Sequence, residues 1–165
     1  MRTIEDTDKY FEAGFPLEVP PIVLPWGKPL TEIAQATNPR WSGDRYFWAR
    51  STFLFGLEYA LMSEVGISPE APFTQITALI GLDLNSGLWS DQLSVHGFKE
   101  VGDHLINLLG NPTGQSSSSS GDGDYLSWET EKIHICLNVV EIHCLWCTLS
   151  VSHLGLRKDS DTSKP

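Results

Sequence analysis

The clearest periodic stretch of the chain covers residues 97 to 109, where Phe98, Val101, Leu105 and Leu108 recur at helical spacing and Lys99, Glu100, Asp103 and Asn107 fill the gaps. This pattern predicts an amphipathic helix with one buried stripe. Leu109-Gly110-Asn111-Pro112 should end it, because Gly110 suits a left-handed cap and Pro112 cannot continue a helix. Five consecutive serines and Gly-Asp-Gly-Asp come next, so residues 113 to 124 are expected to form a flexible surface loop with nothing apolar to bury. The period then changes to two. Ile133, Ile135 and Leu137 alternate with His134, Cys136 and Asn138, and residues 142 to 151 are a second β-rich run. A tight connection near Val139-Val140 would pair the two as a hairpin.

The first half of the chain carries a fainter copy of this order. Residues 29 to 37 predict a short helix with Pro29 at its first position, stopped by Asn38-Pro39. Gly43-Asp44-Arg45-Tyr46-Phe47-Trp48 follows that stop, as Gly123-Asp124-Tyr125-Leu126-Ser127-Trp128 follows the later one. Each half therefore reads as helix, Asn-Pro stop, Gly-Asp turn, and a strand bearing Tyr and Trp, which raises the prospect of two pseudo-symmetric helix-plus-strands halves. Residues 53 to 59 and 73 to 84 would supply the remaining strands of the first half, although residues 53 to 64 also fit a helix. The expected class is α+β, an antiparallel β-sheet packed with two principal helices. By size it is a single domain over residues 1 to 165, with an N-terminal arm over 1 to 20 and a disordered C-terminal tail over 153 to 165.

Charge changes the picture from fold to partner. The formal net charge is -10, and residues 51 to 150 hold twelve acidic side chains against Lys99 and Lys132 with no arginine. Hydrophobic residues make up 41%, including six Trp, so this acidity sits on a foldable chain rather than on a disordered acidic tail. A field of one sign repels nucleic acid and anionic lipid, and it speeds encounter with a basic partner. The first residues, Met1-Arg2-Thr3-Ile4-Glu5-Asp6, lack the apolar stretch of a secretory signal, and the expected compartment is the cytosol. Cys136, Cys144 and Cys147 fit reduced thiols in a sheet.

Local chemical motifs are sparse. His143-Cys144-Leu145-Trp146-Cys147 contains a C-x-x-C, but residues three apart on a strand point to opposite faces and cannot close one site. A turn at Val139-Val140 would set Cys136 opposite His143 with His134 nearby, a set that still lacks a ligand for a closed tetrahedral metal site. Asp122-Gly123-Asp124 starts like a calcium loop, yet Leu126 and Ser127 occupy positions that the loop needs for a ligand and a glycine. No cofactor and no metal is expected. Trp26, Trp48 and Trp128 lie in or beside predicted elements and read as core, whereas Trp89 falls in a Gly/Ser-rich connection, Asn85-Ser86-Gly87-Leu88-Trp89-Ser90-Asp91. Trp89, Asp91, Asp103, Asp122 and Asp124 are therefore the candidate partner-binding residues, with Trp89 as apolar anchor and the carboxylates supplying orientation.

The acidity, the Leu24-Pro25-Trp26-Gly27 segment before a short helix, Leu109-Gly110-Asn111-Pro112 after the main helix, the Tyr/Trp strand and the closing hairpin together resemble the small acidic immunity proteins of bacterial polymorphic toxin systems. Such systems include contact-dependent, Rhs and type VI secretion effectors. The resemblance spans about residues 20 to 152 and implies a non-catalytic inhibitor that binds a cognate, basic toxin domain one to one. These families share no common binding motif, so the resemblance assigns no residue. The alternative expectation is a cytosolic structural or adaptor module, with an unrecognised enzyme third.

Overall fold

The computed structural model describes residues 4–42, 45–64, 70–117 and 123–156. In chain order its elements are α1 (Ile4–Tyr10), β1 (Phe15–Leu17), β2 (Ile22–Leu24), α2 (Leu30–Thr37), β3 (Arg40–Ser42), β4 (Arg45–Phe53), β5 (Leu57–Glu64) and β6 (Gln75–Leu79). They continue with β7 (Leu82–Asp83), β8 (Leu88–Trp89), α3 (Asp91–Leu109), β9 (Gly114–Ser116), β10 (Tyr125–Glu129), β11 (Ile133–Glu141) and β12 (Leu145–His153). Eight strands form one antiparallel sheet in the order β3-β4-β5-β6-β12-β11-β10-β9. The class is α+β, as the alternation of periods predicts.

The strand order is that of two meanders joined at their last strands. Helix α2 leads into β3 to β6, α3 leads into β9 to β12, and β6 pairs with β12 at the centre. Trp48 and Trp128, matched in the sequence, do matching work. The Trp48 indole donates to Thr37 Oγ1 at the end of α2, and the Trp128 indole donates to the Gly110 carbonyl at the end of α3, each at 2.9 Å. Each half thus fastens the end of its helix with an indole from its second strand.

One face of the sheet is core. A row of paired residues crosses it from Leu126 through Leu137, Leu149, Ala78 and Leu61 to Trp48, and alternation places Ile135, Val151 and Ile76 beside them. Helix α3 covers this face with Val101 and Leu105, and small residues let it approach closely. A Cβ on Gly97 would stand 2.3 Å from Ile80 Cγ2, and one on Gly102 would stand 3.1 Å from Leu126 Cδ1. The opposite face carries His134, Cys136, Asn138, Thr148 and Ser150, which produces the alternation visible in the sequence.

Several boundaries differ from the expectation, each for a physical reason. Helix α3 starts at Asp91 rather than residue 97, because its first buried positions are Ser94 and Gly97, which an apolar-periodicity reading passes over. Ser90 caps it, its hydroxyl accepting from the Leu93 N–H at 3.3 Å. The β11–β12 connection lies at residues 142 to 144 instead of Val139-Val140, so Cys136 faces Ser150 and His134 faces Ser152. That register removes the expected juxtaposition of Cys136 with His143. Residues 57 to 64 form a strand and not a helix. The preceding turn places Leu54, Phe55 and Gly56 at positive φ, and the Glu18 carboxylate accepts the Phe55 and Gly56 N–H groups. The N-terminal segment also contributes core, since Phe11, Phe15 and Leu17 are buried and Phe15 packs on Phe53 with ring centroids 5.6 Å apart. At the serine loop, residues 114 to 116 add an edge strand to β10, while residues 118 to 122 and Gly43-Asp44 lie outside the described residues; of the tail expected over 153 to 165, His153 ends β12, residues 154 to 156 are helical, and the part from 157 lies outside the described residues.

Candidate interaction surface

The end of the sheet where α3 begins gathers three connections: the β7–β8 hairpin, the β11–β12 turn and the start of β10. Polar contacts tie them together. Asp91, the first residue of α3, accepts the Leu145 N–H at 2.8 Å. Ser94, one turn later and fully buried, donates to the Leu145 carbonyl at 2.6 Å and accepts from the Cys147 N–H at 3.2 Å. Its hydroxyl occupies the edge of β12 just beyond the end of β6. Ser94→Ala leaves the buried Cys147 N–H without that acceptor and is expected to cost about 1–3 kcal/mol. Urea denaturation beside the exposed control Gln92→Ala measures this, and equal stability of the two variants would contradict the clamp.

Trp89 does not stand free beside these contacts. It stacks on Trp146 with centroids 4.4 Å apart and planes 15° apart, and Trp146 faces Val140 across the hairpin. Around this aromatic pair, large apolar side chains are left in solvent: Leu88 is 68% exposed and Ile142 57% exposed. Val140 on the hairpin is exposed as well, and Leu93 and Val95 line a shallow groove with Asp91, His96 and Lys99 along the first turns of α3. Isolated exposed leucines are ordinary, but clustering around one end of a sheet is characteristic of interaction surfaces.

Carboxylates lie on the elements that meet at this end. Asp83 lies on the hairpin, Asp91 at the helix start, Glu141 at the end of β11, and Asp124 immediately before β10. The Asp124 carbonyl accepts the Val139 N–H at 2.8 Å, which places the exit of the serine loop at the same sheet end as the hairpin. The Asp83 carboxyl is held below the usual carboxylate range by the Asn85 backbone N–H and then by the Ser86 hydroxyl. Burial pushes the Cys147 thiol beneath this end up to about 12.

Of the candidates named from sequence, Trp89, Asp91 and Asp124 come together here. Asp103 does not. It pairs with Lys99 at 2.6 Å on the exposed side of α3, about 18 Å along the helix axis from Asp91. Asp122 lies outside the described residues. Two roles also change: Trp89 acts mainly through its stack, Asp91 is engaged with the β12 backbone, and the exposed large apolar groups here are Leu88, Ile142 and Val95. The signal of Leu88 and Ile142 in the sequence is large apolar residues inside polar connections, Ser86-Gly87-Leu88-Trp89-Ser90 and Glu141-Ile142-His143. No described helix is long and apolar enough to cross a membrane, and no three His, Cys, Asp or Glu side chains among the described residues are placed to hold a metal ion. No family model, no curated protein and no solved structure matches this chain.

Proposed function

We propose that this protein is a non-catalytic binding protein of the cytosol, an immunity protein that neutralises a basic toxin domain in a one-to-one complex. The observation that carries the reading is the cluster of exposed Leu88, Val140 and Ile142 set among Asp83, Asp91, Asp124 and Glu141 at one sheet end. Apolar groups there contribute burial, and the carboxylates around them orient a cationic partner and repel a wrong one. Toxin domains that act on nucleic acids or nucleotides carry basic clefts for anionic substrates, so an acid-rimmed apolar surface can occupy such a cleft. The net charge of -10 extends that attraction beyond contact distance.

The test is co-expression with the product of the neighbouring toxin gene, followed by affinity and association-rate measurements on the purified complex. The doubly substituted Leu88→Asp, Ile142→Asp protein is expected to bind at least about thirtyfold more weakly, the effect of losing a hot spot. Both side chains are exposed, so its unfolding free energy should stay within about 0.5 kcal/mol of the parent per site. The parent's association rate should fall about tenfold between low and high salt, through screening of the acidic field. Unchanged affinity in the double variant would place the interface elsewhere. Survival of toxin-producing cells without this protein would remove the immunity reading itself.

A further inference from the structure

A second candidate site shares the β7–β8 hairpin with the surface described above but faces β4–β5, where Arg40 and Arg50 supply positive charge. Between β4–β5 and the β7–β8 hairpin is a cleft of about 650 Å³, within the size range of small-molecule sites. Phe47 and Ala60 line its sheet wall, Leu82, Leu84 and Asn85 line the hairpin wall, and Arg40 and Arg50 also line it. Arg40 lies on the face of Phe47 because the two are cross-strand partners. Arg50 is placed there by an irregularity. The β4–β5 register shifts between Trp48 and Ser51, so Ser51 pairs with Tyr59 on the core face and Arg50 turns outward toward Glu58. Without the extra residue, strict alternation would send Arg50 into the core.

We propose that this cleft binds an amphiphilic monocarboxylate, an apolar body ending in one carboxylate. The leucines and Phe47 match the body, and the guanidiniums match the head. Arg50 contacts Glu58 through Nε at 3.1 Å, and a guanidinium has five N–H donors, so its terminal pair can still fork onto a second carboxylate. The nearby Asp83 carboxylate is turned onto the Asn85 N–H of its own hairpin. A single negative charge is favoured over several because the whole chain carries -10, and each added ligand charge meets that field. Nucleotides and polyphosphates are therefore poor ligands for this site. The hairpin that forms one wall also carries Leu88, so binding is measured on the chain alone, where no partner can cover that hairpin.

Octanoate is the probe, titrated by calorimetry into the full chain without any partner. Saturable one-to-one binding is expected. Octanamide, which keeps the body and removes the charge, should bind at least about tenfold more weakly, and so should octanoate to Arg40→Gln or Arg50→Gln. Both arginines are on exposed positions, and circular dichroism should show each variant folded. Leu84→Asp, which sets a carboxylate at the apolar wall, should also weaken octanoate binding. The proposal is overturned by an absence of saturable binding up to about 10 mM octanoate, a concentration corresponding to under about 3 kcal/mol. It is equally overturned by parental affinity in both arginine variants, by equal affinity for octanamide, or by tighter binding of ADP than of octanoate.

Discussion

Replacing Trp128 with Ala is expected to destabilise the protein by about 3–5 kcal/mol, a large share of the stability of a domain this size. Trp128 is 5% exposed and packs on the core face of β10 opposite Ile135. Its removal opens a large cavity and also deprives the Gly110 carbonyl, at the end of α3, of its indole donor. Trp128→Phe keeps most of the apolar surface and loses the hydrogen bond, so its cost should be nearer 1–2 kcal/mol. The same pair of substitutions at Trp48 tests the first half. There Trp48→Phe should be milder, because its acceptor, the Thr37 hydroxyl, retains its own bond to the Ile33 carbonyl at 2.7 Å. Urea denaturation followed by circular dichroism measures all four, and a Trp128→Ala cost below about 1 kcal/mol would show that the indole does not hold the helix end.

Stability should fall steeply above pH 9. The Cys147 thiol has an ordinary value of 9.0, and burial raises it to about 12 in the folded chain. Between those values the unfolded chain releases its proton while the folded chain keeps it, so folding loses up to about 1.4 kcal/mol per pH unit, about 4 kcal/mol in all. The contribution is fully present below pH 9 and is lost as pH rises toward 12. Burial raises the Cys136 thiol too, and Tyr59 is raised by burial and then by the Glu100 carboxylate, both adding slope of the same sign. In Cys147→Ala the decline should be shallower, although the variant starts lower at pH 7 through lost packing. Urea midpoints at pH 7, 9 and 10.5 measure this, and parallel curves for parent and variant would exclude Cys147 as the source.

Those two side chains also show how far the sequence could be read. The helix stop at Leu109-Gly110-Asn111-Pro112 and the alternation of Ile133, Ile135 and Leu137 are local signals of chain stereochemistry, and both elements exist. The order of helix, Asn-Pro stop and Tyr/Trp strand recurs at unequal spacing in the two halves, and Trp48 and Trp128 each bond the end of the preceding helix. Other features depend on contacts between distant residues. The beginning of α3 is hidden in Ser94 and Gly97, small residues chosen by the approach of β12 and Ile80 rather than by hydrophobic period. Helix α1 leaves no periodic signal, because Ile4-Glu5-Asp6-Thr7-Asp8-Lys9-Tyr10 has too few apolar positions to show a stripe. At the surface, acidity singles out Trp89, Asp91 and Asp124 but does not tell a solvated carboxylate from one bonded to the β12 backbone. The register shift that turns Arg50 outward leaves no trace in a pattern of period two.

The N-terminal segment bridges both halves, and this has a consequence for the order in which the chain can complete itself. Phe15 reaches Phe53 in the first meander, whereas Asp8, only seven residues earlier, accepts a hydrogen bond from Thr130 in the second. During synthesis the first contact becomes available once β4 has formed, but α1 must wait until Thr130 has emerged. At ordinary ribosomal speed that interval is roughly 4–15 s. Over that time Phe11, otherwise buried beneath Tyr10 and Phe15, belongs to a nascent chain with only part of its final cover. The central β6–β12 ladder joins residues separated by roughly seventy positions, so its loop closure also comes late. The nascent chain is therefore most prone to association just before the segment from Thr130 through β12 arrives.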